Sequence, residues 1–406
     1  MNDAISQLEI ASVAYGGMGI ARYENLVYFV PGTVPGENVS AKVTTRKKNY
    51  VIAEALEILS PSPDRVSPPC PYFDRCGGCV YMHINAPLQR ALKKQQLIDI
   101  LTRLGKLNAP QVENIRYAPN DLYYRNRITV HKRTALGGMI GFFSRDNQSI
   151  IPIEKCIIAQ HGLNRMFTQI RNLTDIPSPF AEIVIACDAQ RSVALFTSQH
   201  TKKHTSFYYF DGGFHTHECP PFSYTLNGIT LEYNTNTFFQ TNNAVLGILC
   251  KELCDTEFNG SEVLIDAYCG VGIFSLLLHK KFDTVIGIEE NGHACEFAMR
   301  NASKNNIKNV PILNTHVEKE LKNILRQHSS RSCTVLLDPP RTGLSGQIVT
   351  ALLHALPQRL IYISCEPTTL ARDLAALSST YSIERVIPFD MFPHTHHIET
   401  LVVLRK

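Results

Sequence analysis

The stretch VLIDAYCGVGIF, residues 263–274, decides the fold of the C-terminal part of this chain. It begins as an apolar run, which is typical of a buried strand, and its glycines at positions 270 and 272 favour a tight turn into a helix. The next predicted strand, Thr284–Glu289, ends in an acid about 20 residues further on, where a carboxylate can accept the hydroxyls of a ribose. The pattern therefore predicts a turn that binds a nucleotide cofactor.

Strands and helices alternate from this stretch to the end of the chain. Besides 263–268 and 284–289, the apolar runs at 335–338 and 360–364 predict strands, and helical patterns separate them. Such alternation is typical of an α/β fold with a doubly wound, Rossmann-like sheet. We expect this domain to cover residues 241–406.

The rest of the chain predicts two further domains. Residues 1–58 contain three β-like runs separated by glycine-rich turns, which predicts a small all-β domain. A linker rich in Ser and Pro follows. Residues 59–240 then combine one strongly helical segment, 87–104, with β-like runs, which predicts a mixed α+β central domain.

Composition limits the class of protein. The chain has 406 residues, 44% of them hydrophobic, and a net charge of +4, which permits a nucleic-acid partner without requiring one. The N-terminus lacks the features of a signal peptide, and no apolar run reaches about 18 residues. We therefore expect a cytoplasmic monomer with no membrane partner, whose clustered cysteines bind metal rather than form disulfides.

A thiol and two carboxylates stand at the ends of predicted strands. Cys365 directly follows the strand 360–364, and Asp338 ends the strand 335–338. Neighbouring strands of an α/β sheet deliver such residues to one rim, which indicates covalent chemistry on a bound substrate. Glu399 precedes the final apolar run and is a candidate base. The alternative is that Cys365 is a small buried hydrophobic residue and Glu399 a surface acid.

Three cysteines lie within ten residues of one another, with two glycines between the last pair: Cys70, Cys76 and Cys79. Cys156 is the best candidate for a fourth ligand. Iron–sulfur clusters are often held by three close thiolates and a distant one, whereas four-cysteine zinc sites usually use two close pairs. The spacing favours an iron–sulfur cluster over zinc.

Several motifs resemble those of the RNA 5-methyluridine methyltransferases, and the resemblance covers nearly the whole chain. The family's nucleophile pattern, Ser-Cys-Asn-Pro-x-Thr-Leu-x-Arg-Asp, corresponds to residues 364–373, where Glu366 replaces the Asn. Its Asp-Pro-Pro-Arg-x-Gly is 338–343, its Asp-Met-Phe-Pro-x-Thr-x-His-x-Glu is 390–399, and residues 238–242 resemble its Phe-Gln-x-Asn element. Residues 14–37 also resemble a TRAM domain, an OB-like barrel found on RNA-modifying enzymes.

The resemblance implies a reaction and roles for individual residues. It implies methylation of uridine C5 in RNA, with Cys365 as nucleophile and Glu399 as proton acceptor. S-adenosylmethionine would be bound by Gln240, Tyr268, Gly270, Glu289 and Asp338. A subset of the family with the same cysteine spacing binds [4Fe–4S], which implies that Cys70, Cys76, Cys79 and Cys156 are its ligands.

The motifs alone do not identify the target RNA. The TRAM-like barrel and the cysteine cluster favour 23S rRNA, with uridine 54 of tRNA as the rival target and a non-catalytic RNA-binding or ribosome-assembly factor as the rival function. Glu366, next to the thiol, is expected to raise its pKa and slow attack unless the carboxylate is paired.

Overall fold

The computed structural model describes residues 4–133, 139–173, 180–198, 208–215, 219–258 and 262–406. The chain folds into two compact units, each built from several segments of the sequence. Unit 1 consists of Met1–Leu97, Phe142–Ile153 and Phe392–His397, and unit 2 of Ile98–Gly141, Glu154–Met391 and Ile398–Lys406. Among the described residues, no helix combines the length and apolar character needed to cross a membrane.

Unit 1 contains the predicted N-terminal β-barrel. Five strands close it in the order β1-β2-β3-β5-β4, and alternate residues point inward to a core that includes Leu8, Ile10, Tyr28 and Val30. The bounds are β1 Ala4–Val13, β2 Met18–Tyr23, β3 Leu26–Pro31, β4 Asn38–Arg46 and β5 Tyr50–Ser60. The end of β4 and the loop that follows it expose three cations, Arg46, Lys47 and Lys48.

The middle of the chain supplies one long helix and an antiparallel sheet. The elements are α1 Ala86–Arg103, β6 Arg127–Arg133, β7 Met139–Phe143, β8 Ile150–Ile151, α2 His161–Arg171, β9 Phe180–Cys187, β10 Ser192–Ser198, β11 Tyr208–Phe210 and β12 Phe214–His215. In unit 2 the strand order is β12-β11-β10-β9-β6-β7, and α2 packs on β9 and β10. In unit 1, Phe142 pairs with Ile151.

A second, mainly parallel sheet follows in unit 2. Its order is β17-β16-β15-β18-β19-β21-β20, with β21 and β20 antiparallel to the rest. The remaining elements are β13 Phe222–Leu226, β14 Ile229–Tyr233, α3 Asn243–Asp255, β15 Val263–Ala267, α4 Ile273–Leu278, β16 Thr284–Glu289, α5 Gly292–Lys304, β17 Ile312–Asn314, α6 Val317–Gln327, β18 Cys333–Leu337, α7 Gly346–Ala355, β19 Arg359–Ser364, α8 Pro367–Leu377, β20 Ser382–Phe389 and β21 Glu399–Arg405.

The predicted alternation of strands and helices is confirmed, and β15, β18 and β19 are buried along nearly their whole length. Parallel strands with helices on both faces require such apolar runs. The carboxyl ends of β15, β16, β18 and β19 lie at one edge of the sheet, so the residues that follow these strands form a single rim.

Candidate active site

The predicted cofactor turn has the tight backbone conformation that its glycines favour. Tyr268, Gly270 and Gly272 all have positive φ angles, of 68°, 56° and 86°. Glycine adopts this conformation freely, whereas a tyrosine does so at a cost that the surrounding structure must offset. The Gly270 amide donates to Glu289 Oε2 at 2.9 Å, and the Asn291 amide donates to Oε1 at 2.8 Å. These bonds fix the Glu289 carboxylate beside the turn.

A cavity of about 290 Å³ opens next to this turn. Its lining comes from the turn, the start of α6 and the loop after β18, and comprises Tyr268, Glu290, Val317, Glu318, Pro340 and residues 342–345. Apolar walls with a few polar groups are typical of pockets for small molecules. The cavity lies at the carboxyl edge of the sheet, where α/β folds bind ligands.

Two carboxyl groups with raised pKa values lie near the rim of the sheet, the buried Asp266 and the partly exposed Asp338. Asp266 is fully buried, accepts a hydrogen bond from the Ser275 hydroxyl on one oxygen, and has no described partner for Oδ1. Burial, with a smaller contribution from Glu289, raises the pKa of Asp266 to about 7, while hydrogen bonding with Ser275 opposes the rise. Burial also raises the pKa of Asp338 to about 7, with a contribution from Asp266. This acidic rim and the orphaned oxygen of Asp266 fit a cationic ligand, because a positive charge would favour the ionised carboxylates.

Cys365 and Glu399 come together on neighbouring antiparallel strands. The β19–β21 register ends with Ser364 opposite Thr400, so Cys365 and Glu399 are the next facing pair. Burial, followed by Glu399 and Asp338, raises the pKa of the Cys365 thiol to about 12, while Arg341 opposes the rise. Burial, with Asp338, holds the pKa of the Glu399 carboxyl well above its ordinary value. The partly buried Cys365 thiol and the buried Glu399 carboxyl group therefore interact with each other and with the exposed Arg341 cation.

Glu366 has a local structural partner. Its Oε1 accepts hydrogen bonds from the Thr368 amide at 3.3 Å and the Thr368 hydroxyl at 2.8 Å, so the side chain caps the N-terminus of α8. The pKa of Cys365 is raised most by burial and then by Glu399. The Glu366 carboxylate is therefore paired by hydrogen bonds, which is the condition under which it was not expected to slow attack by Cys365.

Gln240 is buried in the segment before α3. Its carbonyl oxygen accepts a hydrogen bond from Asn126 Nδ2 at 2.9 Å, and the Asn126 amide donates to the Thr241 carbonyl at 3.0 Å. Asn242 caps α3 and donates to the Met391 carbonyl at 3.1 Å. Phe238, two residues before Gln240, leaves 68% of its surface exposed.

The predicted metal ligands lie in two units. Cys70, Cys76 and Cys79 belong to unit 1, and Cys156 to unit 2. Burial raises the pKa of the Cys76 thiol, Cys70 raises it further, and Arg145 lowers it. Across the described ranges, no group of three or more His, Cys, Asp or Glu residues is arranged to hold a metal ion. The three close cysteines thus do not form a preassembled metal site.

Two further residues of the region were given no role at the site from the sequence. Arg341 lowers the pKa of both Cys365 and Glu399. Asp373 is buried in α8 and accepts hydrogen bonds from the Tyr362 hydroxyl and the Leu344 amide. Both lie inside the quoted motifs, and an acid at a buried helical position is the signal that could have identified Asp373.

Comparison with known proteins gives two family matches. Residues 224–406 match the family described as tRNA (Uracil-5-)-methyltransferase, and residues 7–56 match the TRAM domain. A protein of Protochlamydia amoebophila described as an uncharacterized RNA methyltransferase is 33% identical over 98% of this chain and 97% of its own length. One of Thermosynechococcus vestitus with the same description is 30% identical over 99% of this chain and 98% of its own.

Among solved structures, the chain is similar to the tRNA (uracil-54, C5)-methyltransferase of Pyrococcus abyssi, solved in complex with S-adenosyl-L-homocysteine. The TM-score is 0.75 at 22% identity, and the match covers 98% of this chain and 100% of the other. This likeness shows a mixed α/β methyltransferase fold, and the TRAM match shows an N-terminal domain of the β-barrel type. The two family matches and the relative that is 33% identical over nearly its whole length show that the chain belongs to the tRNA (uracil-5-)-methyltransferase family of RNA methyltransferases and carries an N-terminal TRAM domain.

Proposed function

We propose that this RNA methyltransferase transfers a methyl group from S-adenosylmethionine to C5 of a uridine, through a covalent bond between Cys365 and C6 of the base. The observation that carries the proposal is the β19–β21 register, which sets Cys365 opposite Glu399 beside Asp338. C5 of uracil is a poor nucleophile until a group adds at C6. A thiolate suits that step because it attacks readily and leaves again.

In this proposal Cys365 acts as the nucleophile and Glu399 as the base. The Cys365 thiolate forms the C–S bond at C6, which moves the electron pair of the C5–C6 double bond toward C5. After methylation C5 holds both the methyl group and its original proton. Glu399, as carboxylate, removes that proton, the C5–C6 double bond re-forms, and the C–S bond breaks to regenerate the thiolate.

The residues of the rim fit S-adenosylmethionine. When bound, this cofactor supplies an electrophilic methyl group on a positively charged sulfur. We assign the ribose hydroxyls to Glu289, and contacts along the cofactor to Tyr268, Gly270, Gln240 and Asp338. The carboxyls of the rim supply the negative charge that a sulfonium requires, and the cavity of about 290 Å³ next to the turn is available for part of the nucleoside.

We propose rRNA as the target, with a uridine flipped out of folded RNA. The TRAM domain and its exposed cations Arg46, Lys47 and Lys48 support an RNA partner through phosphate contacts. A tRNA target is the second candidate, favoured by the similarity to the Pyrococcus abyssi enzyme. A non-catalytic role in RNA binding or ribosome assembly would leave the facing thiol and carboxyl without a use.

One mapping experiment tests both the reaction and the target. 5-Methyluridine is mapped in rRNA and tRNA from cells that lack the protein and from the same cells complemented with wild-type or Cys365→Ala protein. We expect one rRNA site that wild type restores and Cys365→Ala does not. Restoration by Cys365→Ala would contradict the covalent mechanism. A restored site in tRNA instead of rRNA would show that tRNA is the target.

We also propose that Cys70, Cys76, Cys79 and Cys156 bind a [4Fe–4S] cluster. Support comes from the all-thiol donor set and from the interaction of Cys70 with Cys76. Protein purified without oxygen is expected to be brown, with about four irons per chain, and Cys76→Ser is expected to lose the colour. Colourless protein that carries zinc would contradict the proposal.

We further propose that the domain boundaries lie near residues 58 and 240. We also propose that the protein is a monomer and is located in the cytoplasm.

A further inference from the structure

Helix α8, which begins two residues after Cys365, is joined to the loop after β18 by four hydrogen bonds. The Thr369 hydroxyl donates to the Arg341 carbonyl at 3.1 Å. The Arg372 guanidinium donates to the Leu344 carbonyl at 3.0 Å, and also to the Thr342 carbonyl at 3.0 Å. In return, the Leu344 amide donates to Asp373 Oδ2 at 2.8 Å. The loop that contains Arg341 is thus bonded along its length to the nucleophile's helix.

Asp373 lies at the centre of these contacts. Its side chain is 2% exposed, and it accepts hydrogen bonds from the Tyr362 hydroxyl at 2.7 Å and from Arg372 Nε at 2.9 Å, besides the Leu344 amide. These donors fix the Asp373 side chain through both of its carboxylate oxygens. It therefore joins three parts of the site: strand β19 before Cys365, helix α8 after it, and the loop after β18.

Gly343 shows how closely the loop approaches the helix. Its φ is +72°, and a Cβ built on it would lie 2.6 Å from Asp373 Oδ2 and 2.7 Å from the Arg372 guanidinium. Any other residue would push the loop away from α8. The sequence at this point is thus adapted to a close contact and not to a flexible connection.

We propose that Asp373 is a positioning residue for the reaction: it holds the 339–345 loop against α8 and thereby keeps the Arg341 cation next to Cys365 and Glu399. The inference rests on the proposed function and adds a role for a residue that touches neither base nor cofactor. The Arg341 cation acts on both reacting groups because it favours the ionised forms of Cys365 and Glu399. Burial and the Asp338 carboxyl group favour the neutral forms of both.

The test measures the reactivity of Cys365 in the free enzyme. Iodoacetamide is applied at pH 8.5, and alkylation of the Cys365 peptide is followed by mass spectrometry for wild type, Asp373→Asn and Arg341→Gln. Since only the thiolate reacts, loss of the nearby cation is expected to slow alkylation about fivefold in both variants, and the double variant is expected to be no slower than Arg341→Gln. A purely structural role predicts the reverse, because a loosened site exposes Cys365 and speeds alkylation.

A matched pair of substitutions on the same helical turn keeps the test decisive if Asp373→Asn fails to fold. Thr369→Val removes the hydroxyl that holds the Arg341 carbonyl, whereas Thr368→Val removes one that bonds only Glu366. We expect alkylation about threefold slower in Thr369→Val and within about 1.5-fold of wild type in Thr368→Val. Equal or faster alkylation in Thr369→Val would overturn the inference. Failure of wild type to methylate RNA would overturn the proposed function alone, because alkylation requires no turnover.

Discussion

Ser364 lies opposite Thr400 in the antiparallel pair of β19 and β21. One step further along the same register, Cys365 faces Glu399, so two strands whose sequences are 35 residues apart bring a thiol and a carboxyl group to the same place. The proposed chemistry depends on this register. A slip of one residue would turn one of the two side chains to the other face of the sheet.

Binding of the cofactor is expected to release protons. Asp266 and Asp338, whose pKa values are raised to about 7, are partly protonated in the free protein near neutral pH. The sulfonium of S-adenosylmethionine would favour their ionised forms, whereas S-adenosylhomocysteine has a neutral sulfur. Titration calorimetry at pH 6.5 in two buffers with different ionisation enthalpies measures this release. Equal proton release for the two ligands would contradict the assignment of the acidic rim to the sulfonium.

Asp266 is expected to make the fold less stable as the pH rises. Because its pKa is raised from 3.8 to about 7, its contribution to stability is fully present below pH 3.8 and is lost as pH rises through 7. The shift corresponds to an upper limit of roughly 4 kcal/mol. Asp266→Asn keeps the hydrogen bond with Ser275, so urea unfolding should show it stabilised relative to wild type at pH 8 but not at pH 4. An identical difference at both pH values would show that Asp266 does not titrate in this range.

Glu366 is expected to stabilise α8 rather than hinder the thiol. Because its side chain caps the helix, Glu366→Ala should lower the free energy of unfolding by about 1 kcal/mol, while Glu366→Asn, which can also cap, should be near neutral. Thermal unfolding measures the first effect. Alkylation of Cys365 in Glu366→Asn should stay within about twofold of wild type, and a large increase would mean that the carboxylate suppresses the thiolate after all.

Local sequence predicted the elements that hold the site but not their pairing. The apolar run 284–289 coincides with β16, and Cys365 does follow a buried strand. Strand β20 was not among the predicted strands; it contains Pro388, which the edge of a sheet tolerates because no amide donor is needed there. Glu399 was expected before the final strand and is its first residue. The facing of Cys365 and Glu399 follows from long-range register, which local patterns do not encode.

The most direct test of the proposed mechanism is the Glu399→Gln variant with S-adenosylmethionine and rRNA from cells that lack the protein. Glutamine cannot take the C5 proton, so the methylated base should stay bonded to Cys365. The account predicts an RNA–protein adduct that survives a denaturing gel, contains one transferred methyl group, and is absent from the Cys365→Ala/Glu399→Gln double variant. Normal turnover by Glu399→Gln, or an adduct that persists without Cys365, would contradict it.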